Sequence, residues 1–152
     1  MRRIALCLLA LAVLGAGVDC GGDSGPPLTA EEFAKQGNAI CKAGDAKLAE
    51  EGKNLLKDAN TSPDQLAKFF LKSAIPNARK KLEQIGKLHP PTKDKDKVKK
   101  MLAAGKKATD TVENGLKKQG AAYLSAKGPD PFKDFNSLAK ELNLTDCAGP
   151  SS

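Results

Sequence analysis

The sequence predicts an all-α fold, an antiparallel up-down four-helix bundle in which the second helix is kinked. Three observations support this prediction. Four segments carry apolar residues at helical spacing, and short polar connections rich in proline and glycine separate them. β-branched residues are few, and no segment alternates apolar and polar side chains as a half-buried strand does. Pro76 interrupts the second segment, where a proline distorts a helix.

The first helix is expected to begin at Thr29. Thr29 and Glu32 have the spacing of a capping box, in which each side chain accepts a hydrogen bond from the other residue's backbone N–H. The helix should end near Asp58–Thr61. Three glycines lie on or beside its apolar stripe, and they indicate either close approach of a partner helix or a weak helix: Gly37, Gly44 and Gly52.

The second helix has the strongest start signal in the chain. Ser62 suits the N-cap, Pro63 suits the first helical position, and Gln65 completes a capping box. Pro76 lacks the N–H that would bond to the preceding turn, and its ring clashes with that turn. We therefore expect a kink near Phe70–Lys72 or a break into two helices.

The third and fourth helices are bounded by prolines and glycines. A stiff Pro90-Pro91 connector leads to a third helix from about Lys93 to Ala126, which is expected to be the longest. Asp130 and Pro131 then have the residue types of an N-cap and a first helical position. The fourth helix should end around Asn143.

The N-terminus has the features of an export signal. Arg2 and Arg3 precede an uncharged apolar run, Ile4–Val18, which is too short to span a bilayer comfortably. Residues 1–19 are therefore predicted to be a signal peptide. The rest divides into a flexible Gly/Ser/Pro linker, a helical domain and a disordered tail, at residues 20–28, 29–147 and 148–152.

Cys20 and the glycine-rich residues after it resemble the start of mature bacterial lipoproteins. The resemblance implies lipidation of Cys20 and an anchor on the outer face of the cell membrane. The sequence departs from the family pattern at Gly17, where that pattern has an aliphatic residue, and at Asp19, where it has Gly, Ala or Ser. The alternative is cleavage by an ordinary signal peptidase near Gly15–Gly17, which would release a secreted protein.

The four cysteines fit the lipoprotein interpretation. Cys7 leaves with the signal, and lipidation of Cys20 would leave Cys41 and Cys147 as an even pair in an oxidising compartment. A secreted form would keep three cysteines, one of them unpaired. The pair is therefore predicted to form a disulfide; the other interpretation is two unrelated buried thiols.

The chain has a formal net charge of +7, and lysine carries most of its positive charge. Six lysines share one side of the third helix, called here the lysine face: Lys99, Lys100, Lys106, Lys107, Lys117 and Lys118. They are interpreted either as a surface that binds anionic polymers or lipid headgroups, or as an ordinary solvated helix face. Aromatic residues are scarce and Trp is absent, which argues against a base-stacking platform for nucleic acid.

Nothing in the sequence indicates catalysis. His89 is the only histidine, no cluster has metal-ligand spacing, and neither a nucleophile motif nor a phosphate-binding loop occurs. The chain is therefore predicted not to be an enzyme, with no catalytic residues, metal site or cofactor.

The whole chain resembles small exported helical lipoproteins of actinobacteria and their relatives. The shared stretches are EFAKQGNAICK at residues 32–42, the Pro90-Pro91 connector and LTDCA at residues 144–148. This resemblance implies a tethered helical domain and no particular activity. The expected function is a non-enzymatic cell-envelope lipoprotein that binds or scaffolds an envelope protein or other ligand. The alternative is a secreted or surface module that binds anionic polymers or lipid headgroups through the lysine face. No specific nucleic-acid partner is expected.

Overall fold

The computed structural model describes residues 25–57 and 60–149 of the 152-residue chain. The predicted signal peptide, Cys20 with most of the predicted linker, and residues 150–152 of the predicted tail lie outside the described residues. The described chain is helical without strands, which confirms the all-α prediction. Its α-helices are α1 (Ala30–Lys57), α2 (Pro63–Phe69), α3 (Ile75–Gly86), α4 (Lys95–Gln119), α5 (Ala122–Ser125) and α6 (Lys133–Glu141), with a π-helical turn at Phe70–Ala74 and a 3₁₀ turn at Thr92–Asp94.

The first helix begins where the capping box predicts. The Thr29 N–H donates to Glu32 Oε2 at 2.9 Å, and the Glu32 N–H donates to Thr29 Oγ1 at 3.2 Å. These bonds satisfy two backbone donors that the first turn would otherwise leave unpaired. Hydrogen bonds from Thr29 also hold the pKa of Glu32 below its ordinary value, because they favour the charged carboxylate.

The second helical segment also begins at its predicted cap. The Ser62 N–H donates to Gln65 Oε1 at 2.7 Å, and the Gln65 N–H donates to Ser62 Oγ at 3.2 Å. Pro63 occupies the first helical position, where a missing N–H costs no helical hydrogen bond.

Pro76 coincides with a change of helix type. A regular α-helix would bring the proline ring against the carbonyl of Lys72, four residues earlier. The chain instead adopts the π-helical turn at Phe70–Ala74, in which the Ile75 N–H donates to the Phe70 carbonyl five residues back. The predicted interruption is therefore present as a π-turn inside one continuous helical segment.

The predicted extent of the third helix is wrong. Its α-helical part, α4, has 25 residues and ends before Gly120, whereas α1 has 28 residues. Gly120 has a φ of +59°, which a glycine adopts without steric cost and which stops the helix. The apolar pattern beyond it belongs to the separate short helix α5, whose Tyr123 packs against Gly115 of α4.

The fourth helix starts two residues later than predicted. Asp130 Oδ1 accepts a hydrogen bond from the Phe132 N–H at 2.8 Å, and α6 begins at Lys133. The aspartate therefore stabilises a turn that precedes the helix, because its short side chain reaches the backbone two residues on. Pro131 lies in that turn rather than in the first position of the helix.

The end of α6 agrees with the predicted boundary near Asn143, which has a left-handed φ of +58°. The Leu144 N–H donates to the Ala139 carbonyl at 2.8 Å, and the Asn143 N–H donates to the Lys140 carbonyl at 3.0 Å. This pair of hydrogen bonds defines a Schellman motif, which satisfies carbonyls that the helix end would leave unpaired. It turns the chain so that Leu144 becomes fully buried.

The four longest helices pack against one another in their order along the chain. α1 contacts α3, α3 contacts α4, and α4 contacts α6, which is the neighbour order of an up-and-down arrangement. The main hydrophobic core lies between them and is built from Phe33, Cys41, Ile85, Val98, Met101, Phe135, Ala139, Leu142 and Leu144. A smaller cluster joins α2, the start of α3 and the end of α4: Ala67, Ile75 and Leu116.

The segment after α6 closes the structure by returning to α1. The Asn38 side chain donates to the Asn143 carbonyl at 2.8 Å and accepts from the Asp146 N–H at 2.9 Å. Leu144 packs directly on Gly37, where the absence of a side chain leaves room for it. Gly37 therefore allows close approach of this segment, which is not the partner helix that the sequence-based interpretation expected.

Candidate ligand-binding cavity

A cavity of about 470 Å³ lies between the helices and is partly open to solvent; it is called here the central cavity. Its walls come from α1, the π-turn, α3, α4 and the segments on both sides of α6. The lining is mainly hydrophobic, and its apolar members are Leu48, Phe70, Ala74, Ile75, Ala78, Leu82, Ile85, Val112, Phe132 and Phe135. A volume of this size is within the range of small-molecule sites, roughly 300–1,000 Å³.

Small side chains on facing helices help to leave this volume unfilled. Ala74 and Ala78 stand on the second helical segment, and Gly105 stands on α4. A Cβ atom at Gly105 would lie 2.7 Å from Leu82 Cδ2 and 2.9 Å from Phe135 Cδ2, so these larger side chains already meet over the glycine. Ala74 and Ala78 have no side chains as large as those that meet over Gly105, so the space beside them stays open.

Several polar groups of the lining are bonded within the protein. The buried Thr109 hydroxyl donates to the Gly105 carbonyl at 2.7 Å. Asn136 Oδ1 accepts from the Gly149 N–H at 3.0 Å. The ammonium of Lys81 forms a salt bridge with Asp45 of α1. These contacts join neighbouring elements of the cavity wall.

Asn77 is the exception among the lining residues. Its side-chain nitrogen, Nδ2, is buried and has no hydrogen-bond partner among the described residues. Its Oδ1 lies close to Gly44 of α1, 3.2 Å from where a Cβ atom would stand. Most buried polar groups in proteins are paired, so this nitrogen is an exception; because it is closed to solvent, it does not face the open space of the cavity.

The predicted cysteine pair forms part of the same cavity. The sulfur atoms of Cys41 and Cys147 lie 2.06 Å apart, which is the bonding distance of a disulfide, and their Cα atoms are 5.1 Å apart. Cys147 carries the chain to Gly149, which also lines the cavity. The disulfide therefore holds the C-terminal wall of the cavity against α1.

The lysine face is exposed along α4, as the sequence pattern predicts: Lys99, Lys100, Lys106, Lys107, Lys117 and Lys118. Lys117 forms an ion pair with Glu113 at 2.6 Å. The other five make no ion pair with any described residue, so their ammonium groups face solvent. The lysines do not line the central cavity, which opens among other residues of the bundle.

An ion cluster links α3 to α4 beside this face. Arg79 pairs with Asp110 at 2.7 Å and also bonds to Glu113. Hydrogen bonds from Lys117 and Arg79 hold the pKa of Glu113 below its ordinary value, because both stabilise the carboxylate. Hydrogen bonds to the two carboxylates also raise the pKa of Arg79. The negative charges of Asp110 and Glu113, next to the lysine face, are thus already balanced by Arg79 and Lys117.

Residues 25–57 and 60–149 contain no group of His, Cys, Asp and Glu side chains arranged to bind a metal ion. None of the helices in this part of the chain is both long enough and apolar enough to cross a membrane. The carbonyl of His89 accepts a hydrogen bond from the Leu28 N–H at 2.9 Å, which ties the segment before α1 to the connector before α4.

The cavity residues were not among the sites predicted from the sequence. Helical spacing identifies Ala74 and Ala78 as core-facing, but it does not show whether a partner side chain fills the space beside them. A detectable signal was Asn77, a polar residue next to the apolar stripe of its helix. A polar residue at such a position needs a partner when the helix packs.

No protein-family model matches the chain, and neither a curated protein nor a solved structure does. Function is therefore inferred from the central cavity, the lysine face and the N-terminal sequence of this chain alone.

Proposed function

We propose that the chain is a non-enzymatic binding protein of the cell envelope, exported and held on the outer face of the membrane by lipid on Cys20. The central cavity is its ligand site. The observation that carries this proposal is a mainly apolar, partly open cavity of about 470 Å³ between the helices. Apolar ligands gain free energy when they leave water for such a site, roughly 25 cal/mol per Å² of buried apolar surface before the costs of association.

The chemistry of the lining supports binding rather than catalysis. The Thr109 hydroxyl donates to a backbone carbonyl rather than to a general base. The ammonium of Lys81 forms a salt bridge with Asp45, so it is engaged within the protein. The lining therefore offers a mainly hydrophobic surface with a few polar groups, which is the composition of many small-molecule binding sites.

Titration with N-phenyl-1-naphthylamine tests the cavity. This uncharged dye becomes fluorescent when it enters an apolar site, and we expect saturable binding with one site per chain. Ala78→Phe places a large side chain in the cavity and should abolish the signal, whereas Ala103→Phe on the exposed surface of α4 should not. Ala74→Leu provides a second, smaller filling. Binding that is equal in all four proteins would contradict the proposal.

The anchor is tested by the intact mass and cell fractionation of the native protein beside a Cys20→Ser variant. We expect a membrane-bound species that starts at Cys20 with the added mass of diacylglycerol, and release of the variant into the medium. A soluble species that starts near Val18 with an unmodified cysteine would exclude the lipid anchor and would leave an odd thiol.

The exposure of the lysine face favours a second candidate function, binding of anionic lipid headgroups or polymers. Five of its six lysines make no ion pair with a described residue, so their charge is available to a polyanion. Co-sedimentation with phosphatidylglycerol vesicles at rising salt tests this candidate. Binding through exposed charges should be lost above about 0.15 M salt, where the screening length is about 8 Å. Binding to phosphatidylcholine vesicles that is equally strong would exclude it.

A further inference from the structure

We propose that the central cavity binds a linear hydrocarbon chain that lies along the helices, and that Phe70, placed on the cavity wall by the π-turn, limits the length of the chain. The inference rests on the proposed function, because it specifies the ligand class of the same cavity and the residue that selects within it.

The first observation is the direction in which the cavity extends. Cys41 and Leu48 of α1 both line it, and they stand about two helical turns apart, or roughly 10 Å at 1.5 Å per residue. The lining residues of α4, from Gly105 to Val112, cover the same distance. Across the helices the space is narrower, because the axes of packed helices are only about 8–10 Å apart. The cavity therefore accepts a long, thin molecule better than a compact one.

The second observation is the chemistry of the lining along this length. Aliphatic and aromatic side chains make up most of it, from Ile85 to Leu48 and Val112. Methylene groups need no hydrogen bonds and gain free energy when they leave water for such a surface. Hydroxyl groups along the chain would lose their bonds to water and find few partners there. These conditions favour an unsubstituted hydrocarbon chain.

Phe70 lies at the end of the cavity opposite the disulfide. α1 and α3 run in opposite directions, because Lys81 pairs with Asp45 whereas Ile85 belongs to the same core cluster as Cys41. The lining residues of the second helical segment therefore lead away from the disulfide as they run back from Ile85 to Phe70. Phe70 is the first residue of that segment in the described lining, so its ring bounds the length open to a chain.

The π-turn determines that Phe70 takes this position. Each residue of an α-helix turns the chain by about 100°, so in an uninterrupted helix Leu71 would share the face of Ala78 and Phe70 would be turned about 80° away. The π-turn holds one residue more than an α-helical turn, because the Ile75 N–H donates to the carbonyl five residues back. This extra residue brings Phe70 to the place that Leu71 would have. The structure agrees: Phe70 and Ala78 line the cavity, and Leu71 packs against the smaller cluster.

Displacement of N-phenyl-1-naphthylamine by linear primary alcohols, from hexanol to dodecanol, tests the inference. Wild-type affinity should rise about fourfold with each added methylene and should level off once the chain reaches Phe70. Phe70→Ala should move this limit to alcohols about two carbon atoms longer, because it leaves space behind it, and Phe70→Trp should move the limit to shorter ones. Leu71→Ala, the matched truncation at the next residue, should keep the wild-type limit.

A ring compound tests the linear shape of the ligand. Cyclodecanol has the carbon number and the hydroxyl group of decanol, but it is compact. We expect it to displace the dye about tenfold less well than decanol, because a wide molecule overpacks a narrow space. Equal displacement by the two alcohols would exclude a site built for a linear chain.

The outcomes separate this inference from the proposed function. If the dye does not bind the wild-type protein, the cavity is not a ligand site and both proposals fail. If the dye binds but the alcohols show no length limit, or Phe70→Ala and Leu71→Ala share one limit, selection by Phe70 is wrong while the cavity function stands. If Phe70→Ala does not fold, Phe70→Leu replaces it and should move the limit in the same direction by a smaller amount.

A lipid tail and a free single-chain molecule both carry a linear hydrocarbon chain, and a further pair of probes distinguishes them. Dioctanoylphosphatidylcholine, used below its micelle concentration, is compared with octanol. Stronger displacement by the phospholipid would identify the tail of a bilayer lipid as the ligand. Stronger displacement by octanol would identify a free single-chain molecule.

Discussion

At the scale of single residues, glycines decide how closely the parts of this molecule approach one another. A Cβ atom at Gly37 would overlap Leu144, which is fully buried in the main hydrophobic core. A Cβ atom at Gly105 would also meet side chains, but those are Leu82 and Phe135, and both line the central cavity. The two glycines therefore differ in their neighbours: the side chain beside Gly37 lies in the filled core, and the side chains beside Gly105 border open space.

We predict that Gly37→Ala is more destabilising than Gly105→Ala. Overpacking a filled core costs about 1–3 kcal/mol, and the gain in helix propensity of about 1 kcal/mol only partly offsets it. At Gly105 the neighbouring side chains can shift into the cavity, so the change in the free energy of unfolding should be near zero. Urea unfolding of the two variants measures the difference. A larger loss at Gly105 would show that the cavity does not accommodate the shift.

Asn143 supplies the left-handed residue at the end of α6, and its φ of +58° is unfavourable for most side chains. We predict that Asn143→Val lowers the free energy of unfolding by about 1–2 kcal/mol, while Asn143→Gly leaves it unchanged or raises it. The backbone carbonyl that Asn38 contacts is present in both variants, so the comparison isolates the backbone conformation. Thermal unfolding of the two variants beside wild type provides the measurement. Equal stability of the two variants would rule out this explanation.

At the scale of helices, local sequence rules accounted for some boundaries and not for others. The capping boxes at Thr29 and Ser62 were predicted correctly, because the interacting residues lie only three positions apart. The end of α4 was missed, since an apolar pattern continued past Gly120 and spacing alone does not separate one long helix from two. Pro76 predicted an interruption, but the choice of a π-turn over a break depends on packing that the sequence does not display.

The ion cluster between α3 and α4 predicts a dependence of stability on pH. The folded pKa of Glu113 lies below its ordinary value, because Lys117 and Arg79 stabilise the carboxylate. Its contribution is therefore complete above the unfolded pKa, about 4.3, and is lost as the pH falls through the lower folded pKa. Glu113→Gln removes this titration, so its stability should fall less steeply than that of wild type below about pH 5.

Urea unfolding between pH 3 and pH 7 at low salt checks this prediction. The two stability curves should converge at the acid end and separate toward neutral pH, with wild type the more stable. In about 1 M salt the separation should shrink, because the screening length falls to about 3 Å and the carboxylate is near the surface. Parallel curves at low salt would mean that Glu113 does not titrate differently in the folded and unfolded states.

At the scale of the whole molecule, the fold class followed from periodicity, but the central cavity did not. Helical spacing places apolar residues on one face of a helix. A cavity depends on the distance between two such faces after the helices have packed. Ala74 and Ala78 leave the space, and the lining includes residues as distant in sequence as Cys41 and Gly149. Distances of that kind are set by the assembled bundle, including its disulfide.

That disulfide couples the stability of the domain to the shape of its cavity. It joins cysteines 106 positions apart, and restricting a loop of this size in the unfolded chain contributes about 4.7 kcal/mol in the chain-entropy account. We predict that reduction lowers the melting temperature by more than about 10 °C. It should also weaken binding of N-phenyl-1-naphthylamine below the transition, because Cys147 and Gly149 form one wall of the cavity. A Cys41→Ser/Cys147→Ser double variant should have the melting temperature and the dye affinity of the reduced protein. Added reductant should change neither of them. A melting temperature that stays within error after confirmed reduction would show that packing alone holds the C-terminal segment against α1.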